Sequence, residues 1–490
     1  MSNQEMKIGL SPVRLALVAT LAGLLLWLPM AEWIVPGLIR DGWNGEGVEV
    51  LNRFFASRSS KKSLGYYQDL WVNLKNAIYG GFLAYAVLLF QVRKRIENQS
   101  LQIALILLSG LFLTMTILWG PRQDYVAHMK IWEMIRSGDD PWWIQPDSGI
   151  ILNAYGPLFN LLAWPAMIST LAPKTIFAFS YLFYCIYLVS KTIKRRSGFW
   201  MTCWCFSPFF WLEIAFYGHF DVLVALMSAG AFILKENGME RKSGLWLGLG
   251  FLLKFIPIIF LPFLVFDRSR DHKLHFRLLV SCVITMFTGM AMAWMIWGES
   301  SFRPLLFASS RGSSLISFWR FIKGAHSPIA MLYQPVPDLD FMATPVLLLV
   351  LAGVWLFYMK FHLSALTGSL IAMLAVLIFY RVGFLQYQMV FFLILPIWFL
   401  NHMTLIKQNK LLKWALLLYF MWISFFDLFD NAVGGIIGLN RPYGAAEEWA
   451  GLPQLVLGGI LMIALLRTGN MKERLPAELY HQNAPMKKVK

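Results

Sequence analysis

The sequence predicts an all-α fold, a polytopic bundle of about 12–14 transmembrane helices with outward-facing loops and short interfacial helices. Of the 490 residues, 58% are hydrophobic and only 14% are charged, too few polar side chains to cover a soluble domain. The apolar residues form runs of roughly 17–25 residues, each long enough to cross a bilayer. These runs lack the period-two alternation of an outer-membrane barrel, which leaves membrane-spanning helices.

The apolar segments give the predicted spans in chain order. The first has no small-residue cleavage site and is interpreted as a retained span. Residues 156–190 are long enough for a hairpin broken at Ala172-Pro173-Lys174, and residues 244–266 are interrupted around Lys254. The predicted spans are 15–39, 71–92, 101–119, 156–190, 199–217, 220–234, 244–266, 278–297, 342–359, 362–380, 386–401, 411–428 and 452–467.

The distribution of charge predicts the sidedness of the loops. The net charge of +16 is carried by short Lys and Arg clusters between apolar runs, which is typical of cytoplasmic loops and argues against a nucleic-acid partner. Both termini are then cytoplasmic, in a multi-pass protein of the inner membrane. The opposite surface receives residues 40–70, 120–155, 218–219, 298–341, 381–385 and 429–451. The longest loops face outward, so we expect the chemistry on that side.

Asp124 is the first candidate for chemistry, because it follows a span at the outward surface. If residues 124–136 are helical, His128 lies on the same face. A carboxylate at the edge of the hydrocarbon suits a base that acts on a hydroxyl. The alternative is that Asp124 only caps the helix that follows it.

Aromatic residues continue the same outward loop. A Gly138-Asp139-Asp140-Pro141 turn precedes Trp142 and Trp143, and Tyr155 begins the re-entry into the membrane. Aromatic rings beside acids suit a sugar ring, although tryptophans at this depth also form an ordinary interfacial belt.

Ionisable residues recur at the ends of later spans and inside them. His219 and Asp221 lie where two apolar runs meet outside, with Glu213 nearby. Lys254 lies in the middle of an apolar segment, where a cation favours an anionic partner such as a lipid phosphate, with snorkelling as the alternative. Such residues are functional candidates by default.

The late outward loops add cations and amides. Arg311 and Arg381 oppose the usual charge bias, so they indicate either a phosphate partner or contact with lipid headgroups. Gln386 and Gln388 flank Tyr387 at the same predicted surface. The four cysteines lie in apolar segments without the spacing of a metal site and are interpreted as packing residues.

In order and sidedness these features resemble the GT-C glycosyltransferases, most closely the bacterial mannosyltransferases that use polyprenol-phosphate mannose. The resemblance runs from about residue 105 to 400. It is carried by an outward aspartate after a span, "GDDPWW", "YGP", "GHFD", "KFIP" in a broken span, and "QYQ" before an apolar run that ends in "LP".

The resemblance implies a hexosyltransferase that takes a mannose-like sugar from a polyprenyl phosphate monosaccharide, with inversion. Asp124 would be the general base, and Lys254, Arg311 and Arg381 would bind the donor phosphate. Substrate contacts would come from His128, Trp142, Tyr155, His219, Asp221, Gln386 and Gln388. No metal ligands are predicted and no cofactor is implied, although a divalent metal stays open. The acceptor would be a lipid-linked or envelope glycan, so membrane lipid and both substrates are the expected partners.

Two other functions stay open at this point. A flippase or transporter of a lipid-linked sugar would use the intramembrane charges as a path, but it is expected to show related halves, and none are visible. A structural envelope subunit would leave Lys254 without a role. We expect an N-terminal part at residues 1–100, whose hairpin at 15–92 could dock a protein partner. A catalytic core at 101–400 and C-terminal helices with a tail at 401–490 would follow.

Overall fold

The computed structural model describes residues 11–40, 64–122, 124–144, 153–192, 195–267, 274–310, 312–324, 339–428 and 449–471. The chain divides into two compact units. The first contains residues up to Asn153 together with Leu158–Leu223, and the second contains Ala154–Pro157 together with the chain from Val224 onward. The three-part division expected from the sequence stays a prediction.

The described chain is built almost entirely of helices. They are α1 Pro12–Pro29, α2 Val35–Arg40, α3 Leu64–Arg95, α4 Gln99–Leu118, α5 Asp124–Ser137, α6 Pro157–Asn160, α7 Ala163–Ile168, α8 Ala172–Ser190, α9 Arg195–Cys205, α10 Pro208–Phe210, α11 Asp221–Glu236, α12 Glu240–Leu253, α13 Leu261–Val265, α14 Phe276–Trp297, α15 Arg303–Ser310, α16 Phe318–Lys323, α17 Asp340–Phe361, α18 Ala365–Phe379, α19 Gln388–Gln408, α20 Lys410–Asp427 and α21 Gly451–Met471. Turns of π-helix occupy Met30–Ile34 and Trp211–Phe216, and 3₁₀ turns occupy Ile256–Phe260, Gly298–Phe302 and Leu385–Tyr387. The all-α prediction is confirmed.

In the first unit, α3 and α4 pack against each other and against α8. The aromatic ring of Phe112 on α4 marks the centre of this packing, with ring centroids 5.7 Å from Tyr181 and 5.0 Å from Trp211. Asn98 begins α4 by accepting hydrogen bonds from the backbone N–H groups of Ser100 and Leu101. Large apolar side chains therefore lie at the centre of the unit, where they fix α4 and the segment that follows it.

In the second unit, α12 packs closely along α14. Glycines make this approach possible, because a Cβ at Gly244 would lie 2.2 Å from the Leu278 carbonyl oxygen and a Cβ at Gly248 2.7 Å from Thr285 Cβ. Elsewhere in the unit, two short strands, β1 Ser314–Leu315 and β2 Val382–Gly383, pair in parallel. This pairing holds the chain before α16 beside the chain after α18.

Among the described residues, eight helices are long and apolar enough to cross a membrane, and the chain is a multi-pass membrane protein. They are Pro12–Ile39, Leu64–Arg95, Gln99–Leu118, Ala172–Ser190, Ser197–Phe216, Phe276–Phe307, Asp340–Phe361 and Gly451–Thr468. Both predicted interruptions are confirmed. Short helices precede α8, which begins at Ala172, and α12 stops at Leu253 before a 3₁₀ turn and the short α13.

Candidate functional site

Asp124 is the first residue of α5, at the turn that follows α4. Its side chain is 52% exposed, and its Oδ2 lies 3.6 Å from Nε2 of His219. The helix predicted after Asp124 is confirmed as Asp124–Ser137. The carboxylate therefore faces solvent on one side and a histidine from a distant part of the sequence on the other.

His219 is held from its other nitrogen by a buried acid. Nδ1 of His219 lies 2.7 Å from Oε2 of Glu213, whose side chain is only 1% exposed. The backbone N–H of His219 also donates to the Glu213 carbonyl at 2.9 Å. Gly218, at φ +70°, supplies the left-handed turn between them. This turn brings His219 back onto the π-helical turn that carries Glu213, so the imidazole lies between two carboxylates.

The surroundings decide the protonation state of His219. Burial disfavours the charged ring, but the negative charges and hydrogen bonds of Glu213 and Asp124 outweigh it and raise the pKa of His219 from 6.5 to about 10. At neutral pH the ring is an imidazolium, with Nδ1 donating to Glu213 at 2.7 Å and Nε2 lying 3.6 Å from Asp124. The charged ring therefore lies between the Glu213 and Asp124 carboxylates as an ion-pair partner.

His128 follows Asp124 by one helical turn on α5. It is buried among aromatic rings, with centroids 5.1 Å from Phe159 and 5.6 Å from Phe220. Trp142 and Asp221 are further substrate candidates in the first unit. Trp142 is fully buried, whereas Trp143 is exposed, and Asp221 is the first residue of α11. The substrate roles of His128, Trp142 and Asp221 stay predictions.

The second unit contains a separate cluster around Lys254, at the interruption of α12. Lys254 is extended (φ −159°, ψ 135°), and its Nζ lies 4.1 Å from the centre of the Tyr387 ring and 5.8 Å from that of Tyr155. Cations are attracted to the faces of such rings. The lysine is therefore buried against two aromatic faces.

Gly156 fixes Tyr155 beside the interruption. Its backbone N–H donates to the Leu253 carbonyl at 3.0 Å, and a Cβ at this position would lie 2.2 Å from the Leu252 carbonyl oxygen. The end of α12 leaves carbonyls without helical partners, and Gly156 satisfies one of them. Only glycine fits so close to that backbone.

The remaining candidates of the second unit lie in different surroundings. Gln388 accepts from the Tyr419 hydroxyl at 2.8 Å, which itself accepts from Gln454 Nε2 at 2.9 Å. Gln386 is buried on the 3₁₀ turn beside Tyr387. Arg381 donates to Thr344 Oγ1 at 3.1 Å. Arg311 lies outside the described residues. The binding roles of Gln386, Gln388, Arg311 and Arg381 stay predictions.

Two residues at the site were not assigned by sequence reasoning. The sequence assigns no role to Glu213, and it marks Lys174 only as part of a break in an apolar segment. Lys174 is fully buried, and its Nζ donates to the carbonyls of Gly120 at 2.6 Å and Phe216 at 2.8 Å. The available signal was an ionisable residue in each of two apolar spans. Within the described ranges, no three His, Cys, Asp or Glu side chains are grouped so as to hold a metal ion.

Residues 153–385 match the model of Glycosyltransferase family 87. The matched region includes Glu213, His219 and Lys254 and begins after Asp124. No curated protein matches the chain. The family match and the apolar helices support the same conclusion, that this protein is a membrane glycosyltransferase.

Proposed function

We propose that this enzyme transfers a mannose-like hexose from a polyprenyl phosphate monosaccharide to a lipid-linked or envelope glycan on the extracytoplasmic face of the inner membrane. Both termini are cytoplasmic in this proposal, as the basic loops indicate. The observation that carries the proposal is the partly exposed Asp124 carboxylate, oriented by an imidazolium that a buried glutamate holds.

The proposed reaction is a single inverting displacement. The acceptor hydroxyl oxygen attacks C1 of the sugar, and the bond from C1 to the phosphate oxygen breaks. The bonding electrons leave with the polyprenyl phosphate, and the hydroxyl proton passes to Asp124. His219 and Glu213 form an ion pair, so protonation of Asp124 leaves the three side chains without net charge. Lipid phosphate is a good leaving group, so the scheme includes no acid catalyst.

Lys254 is proposed to bind the donor phosphate. Its Nζ is buried against aromatic rings, and a phosphate is an anion that such a cation favours. Arg381, which donates to Thr344, and Arg311 are proposed to add positive charge. These residues would stabilise the negative charge that develops on the departing phosphate.

The test is sugar transfer by the purified enzyme, supplied with labelled polyprenyl phosphate sugars and a lipid extract as the source of acceptor. Asp124→Asn keeps the shape of the side chain and removes its basicity, so we expect transfer to fall roughly 10²–10⁴-fold. Glu133→Gln is the matched control, because Glu133 is exposed on the same helix. Its transfer should equal that of the wild type.

Two outcomes contradict the proposal. No transfer by the wild type from any polyprenyl phosphate sugar would remove the proposed donor class. Wild-type rates from Asp124→Asn would remove Asp124 as the base.

A further inference from the structure

We infer that Lys174 is a positioning residue for the candidate base: it ties together the two chain segments that carry Asp124 and His219. The inference rests on the proposed function for its effect on activity, but its geometry stands on contacts within the first unit.

The two hydrogen bonds of Lys174 Nζ define the tie. One goes to the carbonyl of Gly120, in the turn that leads from α4 to Asp124, at 2.6 Å. The other goes to the carbonyl of Phe216, the last residue of the π-helical turn that precedes His219, at 2.8 Å. Lys174 Nζ therefore joins the chain segment just before Asp124 to the chain segment just before His219.

The stem of Lys174 lies directly against the turn that carries His219. A Cβ at Gly218 would lie 2.9 Å from Lys174 Cγ and 3.0 Å from Tyr125 Cδ2. Tyr125 is the residue after Asp124, and its hydroxyl accepts from the Lys174 backbone N–H at 3.2 Å and donates to the Thr170 carbonyl at 2.6 Å. The start of α8 thus contacts both segments through side chain and backbone.

These contacts support the pair of Asp124 and His219, whereas the pair of Glu213 and His219 does not depend on them. Glu213 and His219 belong to a single turn, whose backbone hydrogen bond holds them together. Asp124 and His219 come from distant parts of the sequence, and their atoms are already 3.6 Å apart. Loss of the Lys174 donors would leave the Gly120 and Phe216 carbonyls without that partner. The separation from Asp124 to His219 should therefore widen, while the pair of Glu213 and His219 should persist.

The experiment compares the full-length enzyme with Lys174→Met, Lys174→Arg and Lys191→Met. Methionine keeps a long stem and removes the donors, whereas arginine keeps donors. Lys191→Met is the matched control, at the exposed C-terminal end of the same helix. We expect kcat of Lys174→Met to fall about 10²-fold, because small displacements of catalytic groups cost rates of this size. The donor KM should stay unchanged, arginine should restore part of kcat, and the control should equal the wild type.

A structure of Lys174→Met by electron cryomicroscopy supplies a readout that does not need activity. We expect the distance from Asp124 Oδ2 to His219 Nε2 to exceed 3.6 Å, with the contact from Glu213 to His219 retained. An unchanged distance would overturn the inference, as would an unchanged kcat in an active enzyme. Inactivity of the wild type would instead overturn the proposed function and leave the structural comparison valid. If Lys174→Met does not fold, Lys174→Gln is compared in the same two measurements.

Discussion

At the scale of the residue, the main feature of the site is the charge on His219. A histidine ordinarily has a pKa of about 6.5, so it gains and loses its proton near neutral pH and suits proton exchange. Here two carboxylates hold the ring as an imidazolium, with its pKa raised to about 10. The charged ring has no free lone pair for a further proton, which is consistent with the proposed role of Asp124 as the base.

The raised pKa of His219 predicts a dependence of stability on pH. The folded protein binds the proton more tightly than the unfolded chain, so the stabilisation is complete below pH 6.5. It declines as the pH rises above that value and is lost as the pH passes about 10. We expect the difference in Tm between wild type and His219→Gln, measured in detergent, to shrink over this window. A constant difference would contradict the proton linkage, and Glu213→Gln should also reduce the pH-dependent part.

The sequence marks Asp124 as the candidate base but does not indicate which residue lies beside it. Asp124 is indicated by its position after a span and by its place in the resemblance. Helical spacing indicates His128 as the residue on the same face. The structure buries His128 among aromatic rings and brings His219 to Asp124 through a tertiary contact. Local periodicity carries no signal for such a contact, because it depends on how distant segments pack.

At the scale of the element, the interruption after α12 places the second cluster. The helix ends at Leu253, and Lys254 continues as extended chain. Non-helical backbone inside a membrane protein needs hydrogen-bond partners from the protein, and Gly156 supplies one for Leu253. The proline and lysine in "LKFIP" predicted the interruption, whereas nothing in that stretch predicted that Tyr155 and Tyr387 would lie against Lys254.

The interruption leads to a prediction for donor binding. Lys254→Met keeps the stem and removes the cation, so we expect a higher donor KM, roughly 10-fold or more, if the lysine binds phosphate. Lys242→Met, at an exposed position of the same helix, is the matched control and should keep the wild-type KM. The measurement is initial transfer rate against donor concentration. An unchanged donor KM in Lys254→Met would contradict the assignment.

At the scale of the whole molecule, the apolar pattern predicts the fold class, and loop charge predicts the sidedness. Long apolar runs must be helical in a bilayer, since each backbone group needs a partner within its own segment. This is why the fold class could be predicted, together with the breaks at Ala172 and Lys254. The division into two units could not be predicted, because the second unit includes Ala154–Pro157 from within the sequence of the first. Such an exchange of segments depends on tertiary packing.

Sidedness can be tested by thiol labelling in intact cells. Ser148 belongs to the predicted outward loop and lies outside the described residues, and Asn237 belongs to a predicted cytoplasmic loop. In a Cys203→Ser background, which removes an exposed cysteine, Ser148→Cys should react with an impermeant maleimide. Asn237→Cys should react only after the cells are opened. The reverse pattern would place Asp124 on the cytoplasmic side and contradict the proposed donor and acceptor compartments.

The bond from Gly156 to Leu253 has a consequence for how the protein is made. Gly156 precedes Leu253 in the sequence, so the ribosome makes the donor of this hydrogen bond before its acceptor. The broken segment can then acquire its partner during synthesis. A substitution at Gly156 is consequently expected to reduce the accumulation of newly made protein, even though Gly156 lies far before Leu253 in the sequence.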